Sequence, residues 1–271
     1  MTNLLSANLF RLRKSLLFWV TLVLSAAAGA WQPIQTFLEF ERQVPLNAVF
    51  FVYAMLIGLL LSVFLPLFFG SEYSDGAIRN KLAAGHTRRT VYLANLTTAV
   101  FTAFLFCGAY TLLTLAVGIP LLGAPKYPTM LLASVLLSLL MTTAWCAIYT
   151  VIIMNFSRKA ASAVSCMLLF LAIFAFAVTV YQVLDAPEYY PGYMLTVDGE
   201  LSTTMEHNPH YLQPEERWPY ELLLDLNPVG QAVQYTDGNV TRPLQMALCS
   251  LGVFATTTAA GTALFQRKDL K

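Results

Sequence analysis

The charged residues of this chain divide it into six long uncharged runs: residues 15–38, 43–71, 90–125, 127–157, 160–184 and 243–266. A helix needs roughly 20 apolar residues to cross a hydrocarbon core about 30 Å thick, and every run is long enough. In a bilayer each backbone polar group must be satisfied within the protein, so a spanning segment is a helix or a strand of a closed barrel. The runs lack the strict apolar–polar alternation of barrel strands. They predict an all-α polytopic membrane protein with six transmembrane helices, near 15–31, 47–69, 91–118, 129–154, 161–183 and 244–265. Composition agrees. The chain is 57% hydrophobic and 11% charged, whereas a soluble domain is about a quarter charged. In the long third run Gly118 and Pro120 are expected to end the helix, with LLGAPKYP as the following turn. The first run follows basic residues as a cleaved leader would, but it exceeds a usual leader's apolar core and reads as a span.

Alternating loops separate the charges. The N-terminus, loops 70–90 and 155–160 and the C-terminus carry Arg11, Arg13, Lys14, Arg79, Lys81, Arg88, Arg89, Arg158, Lys159, Arg267, Lys268 and Lys271, twelve of the sixteen Lys and Arg. Only Glu72, Asp75 and Asp269 oppose them there. Basic residues beside spans stay on the cytoplasmic side. Both termini are therefore expected in the cytoplasm, in a multi-pass cell-membrane protein, with the bacterial plasma membrane as the expected setting. An odd number of spans would destroy this segregation. Cys107, Cys146, Cys166 and Cys249 all fall within predicted spans, so they read as small apolar packing residues and not as a disulfide framework.

The segment GSEYSDGAIRNKLAAGHTRRTVY, Gly70 to Tyr92, lies between two of the longest uncharged stretches. Ser74 or Asp75 can N-cap a short helix. Ile78 and Leu82 share one face, with Arg79 and Lys81 off it. Gly85 is placed as a left-handed stop, and Thr87 can cap the next helix. The spacing predicts an ordered helix of about ten residues, roughly 15 Å long, then a tight turn into span three. Such a helix needs a partner with a cleft.

These residues resemble the first cytoplasmic loop of ABC-2-type transporter permeases, whose pattern is roughly G-x-E-x-x-x-G-T-I-[RK]-N-x-L-x-x-G-x-[ST]-R-x-x-[IV]-Y. The match covers Gly70, Glu72, Gly76, Ile78, Arg79, Asn80, Leu82, Gly85, Thr87, Arg88, Val91 and Tyr92. Ala77 replaces the usual threonine, and Asn95 stands where many members carry lysine. The tail FQRKDLK also resembles the family's basic end. The motif covers about a tenth of the chain. The resemblance implies a coupling helix at 71–86 that docks on a separate ATPase subunit through Glu72, Tyr73, Gly76, Ile78, Arg79, Leu82 and Gly85. It further implies a second permease subunit, identical or different, and ATP and Mg held by the ATPase chain. Residues 1–14, with Leu4, Leu5, Leu9, Phe10 and Leu12 among basic residues, correspond to an amphipathic elbow helix along the inner leaflet. Residues 15–183 then hold spans one to five, 184–242 an outer segment, and 243–271 the last span and basic tail.

No G-x-x-x-x-G-K-[ST] occurs, so no phosphate-cradling loop is encoded. H-E-x-x-H and G-x-S-x-G are absent too. No ionisable residue lies deep within a predicted span, which argues against a proton relay. No catalytic, cofactor or metal residue is assigned; His207 and His210 are the only His pair and read as part of a solvated turn. No nucleic-acid partner is expected.

Residues 185–242 hold ten acidic residues against Arg217 and Arg242, with six prolines and many aromatics. YMLTVDGELSTT reads as two strands about an Asp198-Gly199 turn. YELLLDLNPVGQAVQY reads as short helices broken at Asn227-Pro228, matching the family's short re-entrant helices before the last span. Residues 187–214 read as an inserted cap. The expected function is a permease subunit of an ATP-driven exporter, non-enzymatic itself, with a cationic amphipathic or antimicrobial peptide as the expected cargo class. The alternative is a scaffold or sensor subunit that transports nothing.

Overall fold

A computed structural model describes residues 1–40, 44–74, 76–156, 158–195, 201–238 and 240–268. It begins with α1 (Thr2–Lys14), followed by α2 (Leu16–Phe40), α3 (Leu46–Phe50) and α4 (Val52–Phe69). Two short pieces follow, α5 (Ser71–Ser74) and α6 (Ala77–Ala83). Three long helices come next: α7 (Arg88–Leu122), α8 (Pro128–Asn155) and α9 (Lys159–Asp185). Strands β1 (Tyr189–Leu195) and β2 (Leu201–His207) and a 3-10 turn, Pro214–Glu216, lead to α10 (Arg217–Leu226), α11 (Pro228–Thr236) and α12 (Pro243–Arg267). The protein is an all-α membrane protein. Six helical segments are long and apolar enough to span a bilayer: α2, α3 with α4, α7, α8, α9 and α12.

The second span is the central one. Its most apolar window is 61% buried, against 22% for α12 at the edge. Gly58 makes this packing close: a Cβ there would lie 2.8 Å from the Trp145 ring of α8. Trp145 stacks on Tyr149 at 5.1 Å, and the Tyr149 hydroxyl donates to the Gly58 carbonyl at 2.9 Å. Phe170 of α9 closes the cluster, 5.8 Å from Trp145. All four cysteines are buried and unpaired with one another.

Two span boundaries differ from the sequence expectation. The first span continues past residue 31 to Phe40, through Pro33. Proline has no N–H for the carbonyl four residues back, here that of Gly29. Thr114 of α7 donates its hydroxyl to that carbonyl at 3.0 Å, so a neighbouring helix supplies the missing bond, as proline-containing membrane helices require. The third span runs to Leu122 and stops at Gly123, whose φ is 92°. Gly118 does not end it. A Cβ on Gly118 would lie 2.4 Å from Leu46 Cδ1, so this glycine permits α3 to approach. Pro120 sits within the last turn of the helix.

Between spans five and six, β1 and β2 pair antiparallel, from Tyr189↔His207 to Leu195↔Leu201. The expected Asp198-Gly199 turn lies outside the described residues. The ladder is closed at its base by Asn208, whose N–H donates to Glu188 O at 2.8 Å and whose side chain donates to Pro187 O at 3.0 Å. Tyr189 and Met205 are exposed. Because residues 188 and 208 are already in contact, replacing 189–207 with two glycines is expected to leave a folded, membrane-inserted protein, with a melting temperature in detergent within a few degrees of wild type. Loss of insertion would show that the hairpin is structural.

The short helices that follow belong to the core. Asn227 caps α11, its side-chain oxygen accepting from Val229 N at 2.8 Å and Gly230 N at 3.3 Å, while its amide donates to Ile173 O of α9 at 3.0 Å. Nearly all of α11 is buried. Buried side chains complete the packing around the break between α10 and α11. Gln231 Nε2 donates to Asp225 O at 2.6 Å and Met246 O at 3.2 Å. Its Oε1 accepts from Ser250 at 2.9 Å and Tyr235 at 3.1 Å. The fully buried Asp225 carboxylate binds Gln234 at 2.9 Å and Arg242 Nε at 3.2 Å. Arg242 also pairs with Glu221.

Candidate docking site

The loop after span two folds back as α5 and α6, against the start of α7 and the underside of α1. Gly76 carries φ 69° and serves as N-cap of α6, a conformation cheap only for glycine. The cap is thus two residues beyond Ser74 and comes from backbone freedom, not a side chain; Asp75 lies outside the described residues. The helix stops at Gly85, φ 88°, with Gly85 N donating to Leu82 O at 2.9 Å. Thr87 then caps α7, accepting from Thr90 N at 3.2 Å.

The orientation of α6 corrects the expected docking face. Ile78 is 2% exposed and packs into the main core, with Leu82 partly buried beside it. This apolar face holds the loop to the bundle and is not offered to a partner. Arg79, Asn80, Ala83, Ala84 and Gly85 are exposed, and Gly76 is half-buried. Tyr73 lies in α5, its side chain outside those described.

Glu72 is the larger correction. Its side chain is 0% exposed, so it cannot touch another chain. Arg11 Nη1 and Lys81 Nζ each lie 2.7 Å from Oε1, and Asn95 Nδ2 donates to Oε2 at 3.0 Å. Lys81 also donates to Asn8 Oδ1 at 3.1 Å. Asn8 donates to Asn95 Oδ1 at 2.9 Å and to Thr98 at 3.2 Å. One buried carboxylate therefore ties α1, α6 and α7 together. A buried anion is tolerable only when paired and hydrogen-bonded, and both conditions are met here. The Arg11 guanidinium lies 4.3 Å over the Phe68 ring as well, which adds a cation–π contact.

This network explains α1. Leu4, Asn8 and Leu12 form its buried stripe, four residues apart, while Leu9 and Phe10 are exposed. The buried stripe is therefore not purely apolar: Asn8 belongs with Leu4 and Leu12. Asn95, noted as a departure from a common lysine, supplies an amide to a carboxylate already neutralised by Lys81 and Arg11.

At the same end of the bundle two further basic residues, Arg88 and Lys268, reach helix C-termini. Arg88 donates to Gln266 O at 2.9 Å and to Lys268 O, at the end of α12. Lys268 Nζ donates to Met154 O at 3.3 Å, at the end of α8, and burial holds its ammonium below the usual lysine range. Cations at helix C-termini are favoured by the exposed carbonyls and the helix dipole. Among the described residues no group of three or more His, Cys, Asp or Glu is placed to hold a metal. His207 meets Tyr189 edge-on at 5.4 Å, across the hairpin.

No protein-family model matches this chain, and comparison with curated proteins found no significant relative.

Proposed function

We propose that this protein is a permease subunit of an ATP-driven exporter of the ABC-2 type, docked through α6 on a separate ATPase and working beside a second permease subunit. The observation that carries the reading is the loop between spans two and three. Its residues follow the family pattern at twelve positions, and α6 presents Arg79, Asn80, Ala83 and Ala84 outward while Glu72 and Ile78 anchor it inward. A surface loop obeying only charge rules would need no buried carboxylate beneath it. Force applied to α6 would pass through Glu72 to α1 and α7, a movement of rigid elements. Both termini are cytoplasmic in this reading, and the ATPase chain supplies ATP and Mg. The exposed acidic residues near the hairpin, including Glu188, Glu206, Glu215 and Glu216, favour a cationic amphipathic cargo on the opposite side.

The test uses tagged protein purified from its own host's membranes. Wild type is expected to bring down an ATPase bearing a phosphate-binding loop. Arg79→Glu and Ala83→Trp should lose it at least tenfold with an unchanged melting temperature, because both side chains are exposed. Failure to recover such an ATPase, or equal recovery with both variants, overturns the reading.

A further inference from the structure

A groove of about 460 Å³ runs between α7 and α12, lined by Arg89, Leu93, Phe254, Ala255, Thr258, Ala259, Thr262, Ala263 and Gln266. Its chemistry is graded along its length. One end carries Arg89, exposed and without an ion pair or side-chain hydrogen bond among the described residues, and Gln266. The remainder is shallow and mostly small: α12 presents Ala255, Ala259 and Ala263 there, with the hydroxyls of Thr258 and Thr262 between them.

The groove's length is informative. From Phe254 to Gln266 a helix rises about 18 Å, close to one leaflet of a hydrocarbon core about 30 Å thick. Beyond Phe254 the exposed face of α12 turns bulky: Leu244, Leu248 and Leu251 are 73%, 60% and 46% exposed. A small-residue face suits close helix contact, but a straight helix from a second copy would have to cross this leucine ridge as well as the slot. A single acyl chain from one leaflet need not.

We propose that the α7–α12 groove is a binding site for an anionic phospholipid, its phosphate on Arg89 beside Gln266 and one acyl chain along Leu93, Ala255, Ala259 and Ala263. Basic residues at the membrane surface attract anionic headgroups, and the groove supplies the shape that a plain basic surface lacks. The site is independent of any ATPase partner.

Native mass spectrometry of the full chain reads retained lipid directly, and thermal unfolding in detergent reads its effect. Phosphatidylglycerol should be retained in preference to phosphatidylcholine of the same acyl chains, and should raise the melting temperature more. Arg89→Gln should weaken the phosphatidylglycerol preference about fivefold. Ala259→Leu, which fills the groove on a lipid-facing surface and should fold normally, should abolish retention of the bound lipid. Inorganic phosphate should do nothing, since it has no chain for the groove. Equal retention of both lipids by wild type, unchanged retention in Ala259→Leu, or a shift of Ala259→Leu from dimer to monomer without loss of lipid would each overturn the proposal, the last by assigning the groove to a second copy.

Discussion

Glu72→Ala is expected to destabilise the protein by about 3–5 kcal/mol, seen as a large fall in the denaturant needed for unfolding in detergent or in failure to accumulate. The change removes the carboxylate that Arg11 and Lys81 share and takes from Asn95 Nδ2 its carboxylate acceptor. Arg11 and Lys81 then face each other without the carboxylate that both contact. Glu72→Gln keeps the shape and an acceptor oxygen, so it should recover the amide contact but not the charge balance. The decisive comparison is the triple variant Glu72→Gln, Arg11→Met, Lys81→Met. If the penalty arises from uncompensated charge, the triple variant should be more stable than Glu72→Ala, because neutral groups replace the ions on both sides. If the triple variant is worse, packing and not charge dominates the site. Either result is separable from docking, since Arg79 and Ala83 stay on the surface throughout.

Gly29→Val is expected to separate the first and third spans, and to cost several kcal/mol, more than ordinary overpacking of about 1–3 kcal/mol. A Cβ at Gly29 would lie 2.3 Å from the carbonyl oxygen and 2.9 Å from the Cα of Tyr110. Those are backbone atoms of a long helix, and no side-chain rotation relieves the clash. The same displacement would also break the Thr114 bond to the Gly29 carbonyl, reopening the gap that Pro33 leaves in α2. Gly108→Ala in the same region of α7 is a matched control. Nothing lies within 4 Å of its added Cβ, so it should melt as wild type does. Equal stability of Gly29→Val and Gly108→Ala would refute the close α2–α7 contact.

What was legible in the sequence was local or one-dimensional. Span number follows from the length of the runs between charges, because a bilayer imposes a minimum length on any helix that crosses it. The Thr87 cap, the Gly85 stop and the break at Asn227-Pro228 follow from conformations that a few adjacent residues decide for themselves. The candidate loop was legible in the same way, as a pattern over residues 70–92. Its inward and outward faces were not. Ile78 and Leu82 share one face of α6 in any environment, but whether that face meets the bundle or a partner depends on α7 and α1. Glu72 reads as a surface charge because it follows an apolar run. Its burial depends on Lys81, Asn95 and Arg11, and the chain links Asn8 to Asn95 across 87 positions. Asp225 is similar: it reads as one more acid in an acidic segment, yet Gln234 and Arg242 surround it. The physical reason is the cost of desolvating a charge. An isolated residue gives no sign of whether that cost is met, because the compensating groups come from helices that only tertiary packing brings together.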